Sequence, residues 1–177
     1  MIRKPVAGKL QVFIKLQTKT NEMAVLDDIE DIFSIFHDGV IESYNGNVKV
    51  LTLNVNCQYL AELINPTFTK FYIRLENISM LNFTTWPNPL YLPVLTLTEL
   101  KDIFESDLEI LSVDIKNNDF VNITCNQHDM AFDYCGGNLK LSCDKIEIFD
   151  EEFRRLTIDE LDVICKYYWN KFGRGLD

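Results

Sequence analysis

Two histidines carry most of the chemistry that this sequence offers, and each is followed by an aspartate. His37-Asp38 lies between two apolar stretches, and His128-Asp129 lies in a polar stretch. A Cys-His hydrolase would need a thiolate beside one of these imidazoles and a group that orients the ring. Because contiguous His-Asp pairs rarely place both side chains at one substrate, we interpret His128 as a turn residue and His37 as the end of a helix.

A zinc site would have to be built from Cys125, His128, Cys135 and Cys143. The expected strand register places Cys125 and Cys143 on one face of a sheet but about 9 to 10 Å apart, and turns Cys135 to the other face. Zinc needs its thiolate ligands at about 2.3 Å, and the spacing contains no C-x2-C pair. We therefore predict no metal site and no cofactor, and we interpret the cysteines as free thiols of a reducing cytoplasm.

Other catalytic motifs are missing from the sequence. It contains no phosphate-binding glycine-rich loop, no G-x-S-x-G elbow and no dinucleotide fingerprint. Paired carboxylates for glycoside hydrolysis stay open, because the sequence does not give the distance between two acids. We predict no catalytic residues, and a small hydrolase or carbohydrate-active enzyme that uses acidic residues and His37 remains an alternative.

The charge of the chain selects among classes of partner. Acidic residues number 27 against 17 basic ones, which gives a formal charge of −10. Phosphate groups are bound by clustered Lys and Arg, and no such cluster occurs, so nucleic acid and anionic membranes are not expected ligands. The N-terminus lacks the apolar core of a signal peptide, and no apolar run is long enough to span a bilayer. We predict a cytoplasmic protein with a basic protein partner.

The acidic residues and the His-Asp pair are the candidate binding residues. Four acids fall on the polar side of a predicted first helix, and a later group surrounds Glu147 and Asp150. The full set of candidates is Asp27, Asp28, Glu30, Asp31, His37, Asp38, Asp133, Glu151 and Glu152. For each cluster, a solvated surface is the simpler interpretation.

Two amphipathic helices are predicted near the ends of the chain. Apolar residues at helical spacing from Leu26 to Phe36 predict the first, with Gly39 in the left-handed conformation that ends it. Thr157 and Glu160 form a capping box that begins the last helix, and Thr96 forms the same pattern with the glutamate at position 99. Residues 10–16 alternate as a first strand, and the Trp86 to Pro93 segment is expected to cover the core as a loop rather than to act as a docking site.

Hairpin signals define the rest of the chain. Asn45-Gly46 predicts a two-residue turn that places Tyr44 opposite Asn47, with a bulge after Val50. Residues 108–143 predict a four-stranded meander with turns at 117–119, 126–129 and 137–138. The predicted fold is α+β: a mostly antiparallel sheet of hairpins with three to four helices, including the two terminal amphipathic helices packed on it. We expect a single domain over residues 1–177.

The stretch FSIFHDGVIES, the strands after it and the terminal ELDVICKYYWNKF helix resemble small bacterial proteins that carry an F-H-D motif before a strand. Phe36, His37 and Asp38 carry the resemblance. Several of these proteins are grouped with the immunity proteins of polymorphic toxin systems. The resemblance implies a non-catalytic cytoplasmic protein that neutralises a cognate toxin by binding its active surface. A third hypothesis is an accessory or structural domain of a larger assembly.

Overall fold

The fold is α+β, with helices on an antiparallel sheet, as the sequence predicts. The structure is a computed structural model that describes residues 23–173, with side chains through residue 171. In this range the helices are α1 (residues 23–35), α2 (Gln58–Ala61), α3 (Leu100–Ile103) and α4 (Ile158–Gly173). The strands are β1 (Val40–Asn47), β2 (Val50–Asn56), β3 (Lys70–Pro87), β4 (Thr96–Leu97), β5 (Leu108–Lys116), β6 (Phe120–Asn126), β7 (Tyr134–Phe149) and β8 (Arg155–Leu156). The strand predicted over residues 10–16 lies outside the described residues.

Six of the strands close into a ring. The order across the sheet is β4-β3-β2-β1-β5-β6-β7-β8, and β3 also pairs with β7. Every pairing is antiparallel. The two long strands pair with each other from Tyr72 with Phe149 to Pro87 with Tyr134. Closure protects strand edges and gives the strands a common interior.

Alternate residues of the ring strands fill that interior. Leu51 and Leu53 of β2 are buried, whereas the residues on either side of them are half buried or exposed, and the same alternation runs along β3 from Phe71 to Leu75. Phe36, just after α1, packs on Phe71 with ring centroids 5.0 Å apart. The periodicity of two therefore assigns the inner face of each strand, and α1 adds its own apolar stripe to the same core.

The two terminal helices form for the reasons that the sequence gives. Leu26, Ile29 and Phe33 of α1 recur at helical spacing, and all three are buried. At the start of α4, the Glu160 N–H donates to Thr157 Oγ1 at 3.2 Å, and the Thr157 N–H donates to the Glu160 carboxylate at 2.8 Å. This reciprocal pair is the predicted capping box.

The second predicted capping box is wrong. Thr96 lies in β4, where it pairs with Thr84 of β3. The N-cap residue of α3 is Glu99, and its side chain makes no capping hydrogen bond. The local S/T-x-x-E pattern is the same as at α4, but pairing with β3 places Thr96 in a strand and outside the helix.

The first hairpin turns at Val48-Lys49 and not at the predicted Asn45-Gly46. Tyr44 pairs with Leu53, so the whole register differs from the predicted one. The Lys49 N–H donates to Asn47 Oδ1 at 2.9 Å, which closes the turn through an asparagine side chain.

Burial explains this register. The observed pairing places Leu51, Leu53 and Val55 in the core. The predicted pairing rested only on the local turn preference of Asn45-Gly46, and burial outweighs that preference. The bulge falls between Ile41 and Ser43 of β1, and not after Val50 as predicted. Gly46 has a φ of 108°, and a Cβ there would run into the Val50 backbone, so this glycine serves a distorted strand.

The meander prediction is half right. β5 pairs with β6 as predicted, with Ile115 opposite Val121 and a loop over residues 117–119. The third predicted strand is wrong, because residues 127–133 form a loop. The fourth, residues 139–143, lies in β7 as a strand, but it pairs directly with β6, with Ile123 opposite Leu139. The meander therefore has three strands, and β7 continues through the predicted turn at 137–138.

Two glycines explain the error. Gly136 and Gly137 lie inside β7, where the strand runs between β6 and β3. A Cβ on Gly137 would come within 2.6 Å of Phe83 Cζ and would collide with the Thr84 carbonyl oxygen. The Gly-Asn sequence that suggests a turn is needed instead for a close approach of three strands.

The cysteine positions change with the register. Cys125 and Cys143 lie on neighbouring strands, not two strands apart, but Cys125 pairs with Gly137. Cys143 is six residues further along β7, which is about 20 Å of strand. Cys135 is exposed, whereas the other two thiols are buried. These three cysteines do not converge.

We expect the Gly137→Ala variant to be destabilised by about 1–3 kcal/mol, because the added methyl group has no room between the strands. Ser142→Ala on the same strand is the control, with an expected change within about 0.5 kcal/mol. Urea denaturation of the two variants and the parent measures both values. A Gly137→Ala protein as stable as the Ser142→Ala protein would contradict the strand assignment.

Candidate binding surface

The His37-Asp38 pair lies at the joint between α1 and β1. The helix ends at residue 35, and the residue in the left-handed conformation is Asp38, with a φ of 64°. This corrects the prediction that Gly39 takes that role. Gly39 is required for a different reason, because a Cβ there would lie 2.8 Å from the Phe36 carbonyl oxygen. Aspartate tolerates the left-handed region better than most residues.

Backbone groups of this joint are held on two sides. The Asp38 N–H donates to the Ile110 carbonyl at 2.9 Å, and the Ile110 N–H donates to the Gly39 carbonyl at 2.8 Å. From α2, the Tyr59 hydroxyl donates to the His37 carbonyl. The joint therefore connects α1, β5 and α2, which is a structural role for the His-Asp segment.

The side chains of the joint offer little nucleophilic chemistry. His37 Nδ1 lies 2.9 Å from Asp38 Oδ1, and both side chains are about half exposed. Asp38 lines a shallow cleft of about 340 Å³ together with Cys57 and Tyr59. Burial raises the pKa of the Cys57 thiol to about 12, so this thiol is protonated at neutral pH. No described thiolate therefore stands ready beside this histidine.

The second histidine pairs with a residue that the sequence did not suggest. His128 Nε2 lies 2.9 Å from Glu109 Oε2, on the neighbouring strand β5. Asp129 turns away, because its carboxylate accepts the Ala131 N–H at 2.8 Å within its own loop. His128 and Glu109 line a cleft of about 340 Å³ whose other polar residues are Glu105, Ser106, Asp107 and Asp129. The turn assignment for His128 is confirmed, and its partner is set by the β5–β6 register.

The late acids are divided between the interior and the surface. Asp150 is buried and accepts the Arg154 N–H at 2.9 Å and the Glu152 N–H at 3.0 Å. Glu151 accepts the backbone N–H groups of Thr69 and Lys70, the latter at 2.9 Å. These two carboxylates hold the β7–β8 turn and the start of β3, so the predicted binding residue Glu151 has a structural task.

Glu152 and Asp133 are exposed and lie outside α1. Glu152 follows β7 in the turn before β8, and its side chain is exposed. Asp133 lies in the 127–133 loop, and its carbonyl accepts the Asn88 N–H at 2.9 Å. Asp133 therefore does not belong to the outer face of a sheet strand, as the predicted meander implied.

The helix-one acids form an acidic surface on α1. Asp27, Asp28 and Asp31 are exposed, and Glu30 is half buried. Among the described residues, no Lys, Arg or His nitrogen lies within 4 Å of any of the four carboxylates. Their negative charge is therefore not neutralised by the described part of the chain.

A cleft of about 260 Å³ joins this helix to β7, β8 and α4. Its charged lining consists of Asp28, Glu147, Arg155 and Asp159. Glu147 is only 10% exposed and bonds to Arg155 at 3.3 Å and to Lys145 at 3.0 Å, so its charge is balanced. Asp28 and Asp159 supply the net negative charge of the cleft. The structure thus brings one helix-one acid beside the late acid Glu147, and it adds Asp159, which the sequence reasoning missed.

Repulsion within the acidic surface is visible at Asp28. Partial burial raises the pKa of the Asp28 carboxyl, and the charges of Asp31 and Asp27 raise it further. A carboxylate with a raised pKa is less favourable in the folded chain than in water. The ionised Asp28 carboxylate therefore costs stability at neutral pH.

Neither a metal-binding cluster, nor a membrane-spanning helix, nor a similarity to a known protein assigns a function to the described residues. Within residues 23–173, no three His, Cys, Asp or Glu side chains are grouped so as to hold a metal ion. None of the helices in this range has the length and apolar character needed to cross a bilayer. Comparisons of the chain with protein-family models, curated proteins and solved structures find no match.

We expect Glu151→Ala to lower stability at neutral pH by about 1 kcal/mol, a value reduced for solvent exposure, because two backbone N–H groups lose their acceptor. The hydrogen bond from Thr69 keeps the pKa of Glu151 below its usual value. The stabilisation is therefore complete above the ordinary carboxyl pKa and is lost as the pH falls through the folded-state pKa. Denaturation at about pH 7 and about pH 3 should show a deficit that shrinks in acid.

Glu152→Ala is the matched control for this measurement, since the neighbouring carboxylate is exposed. We expect it to stay within about 0.5 kcal/mol of the parent at either pH. A deficit at Glu151 that is the same in acid and at neutral pH would contradict the role of the ionised carboxylate.

Proposed function

We propose that this chain is a non-catalytic cytoplasmic binding protein that holds a basic protein domain against the acidic face of α1. The observation that carries the proposal is the group of four acids on one helix that no described basic residue neutralises. Asp150, in contrast, is paired with Arg154 at 3.1 Å. A partner that supplies Lys or Arg would replace the missing counter-charges.

The shape next to these acids supports the same partner. The cleft beside Asp28 is lined by Ile146, Ile148 and Leu156 in addition to its charged residues. A lysine or arginine side chain has an apolar stem and a charged head, and both would find complementary groups there. The cleft is therefore suited to a basic side chain of a folded protein more than to a small acidic metabolite.

The stability cost at Asp28 also supports a binding role. Residues that serve binding are often retained although they destabilise the free protein. Asp28 is such a residue, because its neighbours and its partial burial disfavour the ionised carboxyl. A bound cation would remove this cost.

The class of partner that we propose is a toxin domain, which makes this chain an immunity-type protein. The F-H-D resemblance and the net charge of −10 support this assignment. Phe36, His37 and Asp38 would then mark the family through the α1–β1 joint, and the acids of α1 would contact the toxin. The described cysteines are all free thiols, which fits a reducing cytoplasm.

Affinity capture from the producing cells tests the proposal, with three baits. The parent should retain a protein of net positive charge, and the Asp27→Asn, Asp28→Asn, Asp31→Asn triple variant should retain it at least about tenfold more weakly. The matched control removes three other exposed acids by Glu99→Gln, Asp119→Asn and Asp144→Asn. Affinity for the captured protein, measured at low and high salt, should fall steeply with salt for the parent and the matched control, and less steeply for the triple variant.

A captured partner that binds the triple variant and the parent equally would contradict the assignment to α1. Capture of no basic protein from cells in which the chain is expressed would contradict the proposed function itself. An adjacent toxin-like gene would identify the domain to be used as a purified ligand in the same assay.

Stability gives an independent prediction for this surface. At about pH 7, Asp28→Asn should raise the free energy of unfolding, because it removes a carboxylate whose pKa is raised in the folded state. The gain should disappear in acid, where the carboxyl is protonated in both states. Asp159→Asn in the same cleft should have the opposite sign, because an acid in the first turn of α4 interacts favourably with the helix dipole. Thermal unfolding of both variants across this pH range distinguishes the two effects.

A further inference from the structure

The most exposed large apolar residues of the described chain belong to two loops. Leu90 and Tyr91 are 90% and 86% exposed in the β3–β4 loop, and Met130 is 89% exposed in the β6–β7 loop. Val94 and Leu95 of the β3–β4 loop are also exposed. Isolated exposed apolar residues are common, but several that project from adjacent loops mark an interaction surface.

Hydrogen bonds fix the two loops next to each other. The Asn88 N–H donates to the Asp133 carbonyl at 2.9 Å, which joins one loop to the other. At the far end of the β3–β4 loop, the Thr85 N–H donates to the Leu95 carbonyl at 2.9 Å, and the Leu95 N–H donates to Thr85 Oγ1 at 3.0 Å. Pro89 and Pro93 restrict the backbone between these points. The apolar side chains are therefore presented by an ordered loop, which lowers the entropy lost on binding.

The surroundings of the loops are acidic. Asp129 and Asp133 lie in the β6–β7 loop itself and are exposed. The cleft at His128 adds Glu105 and Asp107. The apolar loops are thus bordered by negative charge.

This charge selects the occupant. An anionic membrane surface would be repelled by the acids, and two copies that met through these loops would bring their acidic borders together. A protein with an apolar patch bordered by Lys and Arg is complementary in both respects. Tyr91 and Met130 have side-chain types that are enriched at the centre of such interfaces.

We infer that the β3–β4 and β6–β7 loops form a second contact region, through which Leu90, Tyr91 and Met130 insert into an apolar pocket of a basic protein. The inference rests on the proposed function in that the partner is the same basic protein. It adds a second surface, remote in sequence from α1. We call this set of three residues the apolar tip.

A defined probe tests the chemistry of the apolar tip. A synthetic amphipathic helix of leucine and lysine should bind the parent at least about tenfold more tightly than the same peptide with serine in place of leucine. The Leu90→Ser, Tyr91→Ser double variant should lose this preference. The matched control is Val163→Ser, Tyr167→Ser on α4, which removes an exposed aliphatic and an exposed tyrosine that are 66% and 59% exposed. The control should keep the preference.

Three outcomes of this assay would overturn the inference. One is an equal loss in both double variants, which would show general adhesion of apolar side chains. Another is a concentration-dependent dimer in sedimentation that only Leu90→Ser, Tyr91→Ser abolishes, which would identify a second copy as the occupant. The third is co-sedimentation of the parent, but not of this variant, with phosphatidylcholine vesicles, which would identify a lipid surface.

Photo-crosslinking in the producing cells separates this inference from the proposed function. A benzophenone amino acid replaces Tyr91 in one protein and Asp27 in another. Adducts from both positions to one protein of net positive charge would support both statements. An adduct from position 27 alone would retain the proposed function and overturn the apolar tip, and an adduct from position 91 alone would do the reverse. Adducts from neither position would contradict both.

Discussion

The ring of strands closes at a narrow point, where Val40 and Ile41 of β1 pair with Glu109 and Leu108 of β5. This is the shortest pairing within the ring, since β3 and β7 pair over most of their length. Two hydrogen bonds between Ile110 and the Asp38-Gly39 segment extend it. The curvature that brings β3 back to β7, and with it the enclosed core, depends on this closure.

The closure explains the composition of the joint better than catalysis does. A chain that leaves α1 and immediately enters β1 must reverse its backbone, and Asp38 does so in the left-handed region. Gly39 follows because no side chain fits beside the Phe36 carbonyl. The His37 side chain is about half exposed, and its imidazole pairs with Asp38. The His37 carbonyl accepts a hydrogen bond from the Tyr59 hydroxyl. The His37-Asp38-Gly39 sequence suggests catalysis, but the backbone conformation and contacts of the α1–β1 joint explain it.

The sequence predicts those parts of the fold whose signals are local. The apolar spacing of α1, the capping box at Thr157 and the β5–β6 hairpin each depend on residues close in the chain, and each is confirmed. Two of the errors occur at Gly46 and Gly137, because glycine is required both by tight turns and by strands that approach closely. Only the tertiary arrangement of the strands shows which of these two roles a glycine has, and a single sequence does not give that arrangement.

The same limit applies to the binding surface. Helical spacing is sufficient to place Asp27, Asp28 and Asp31 on the outer side of α1, where the structure finds them. Helical spacing could not show that the Glu151 carboxylate accepts a hydrogen bond from the Thr69 backbone N–H. An acidic residue is a candidate for binding when its carboxylate has no hydrogen-bond or ion-pair partner within the fold. Such partners are distant in the sequence, so the sequence does not show which acids have them.

The two surfaces differ in what they can contribute to a complex. Exposed carboxylates such as those of α1 act at long range and accelerate encounter with a basic partner, but salt screens them and they add little to the lifetime of the complex. Tyr91 could make buried apolar contacts with a partner. Such contacts act only at short range, and they mainly lower the dissociation rate. An inhibitor of a toxic protein needs both a fast encounter and a slow release. An acidic helix and an ordered apolar loop on one small ring of strands would meet these two requirements separately, so that each could vary without loss of the other.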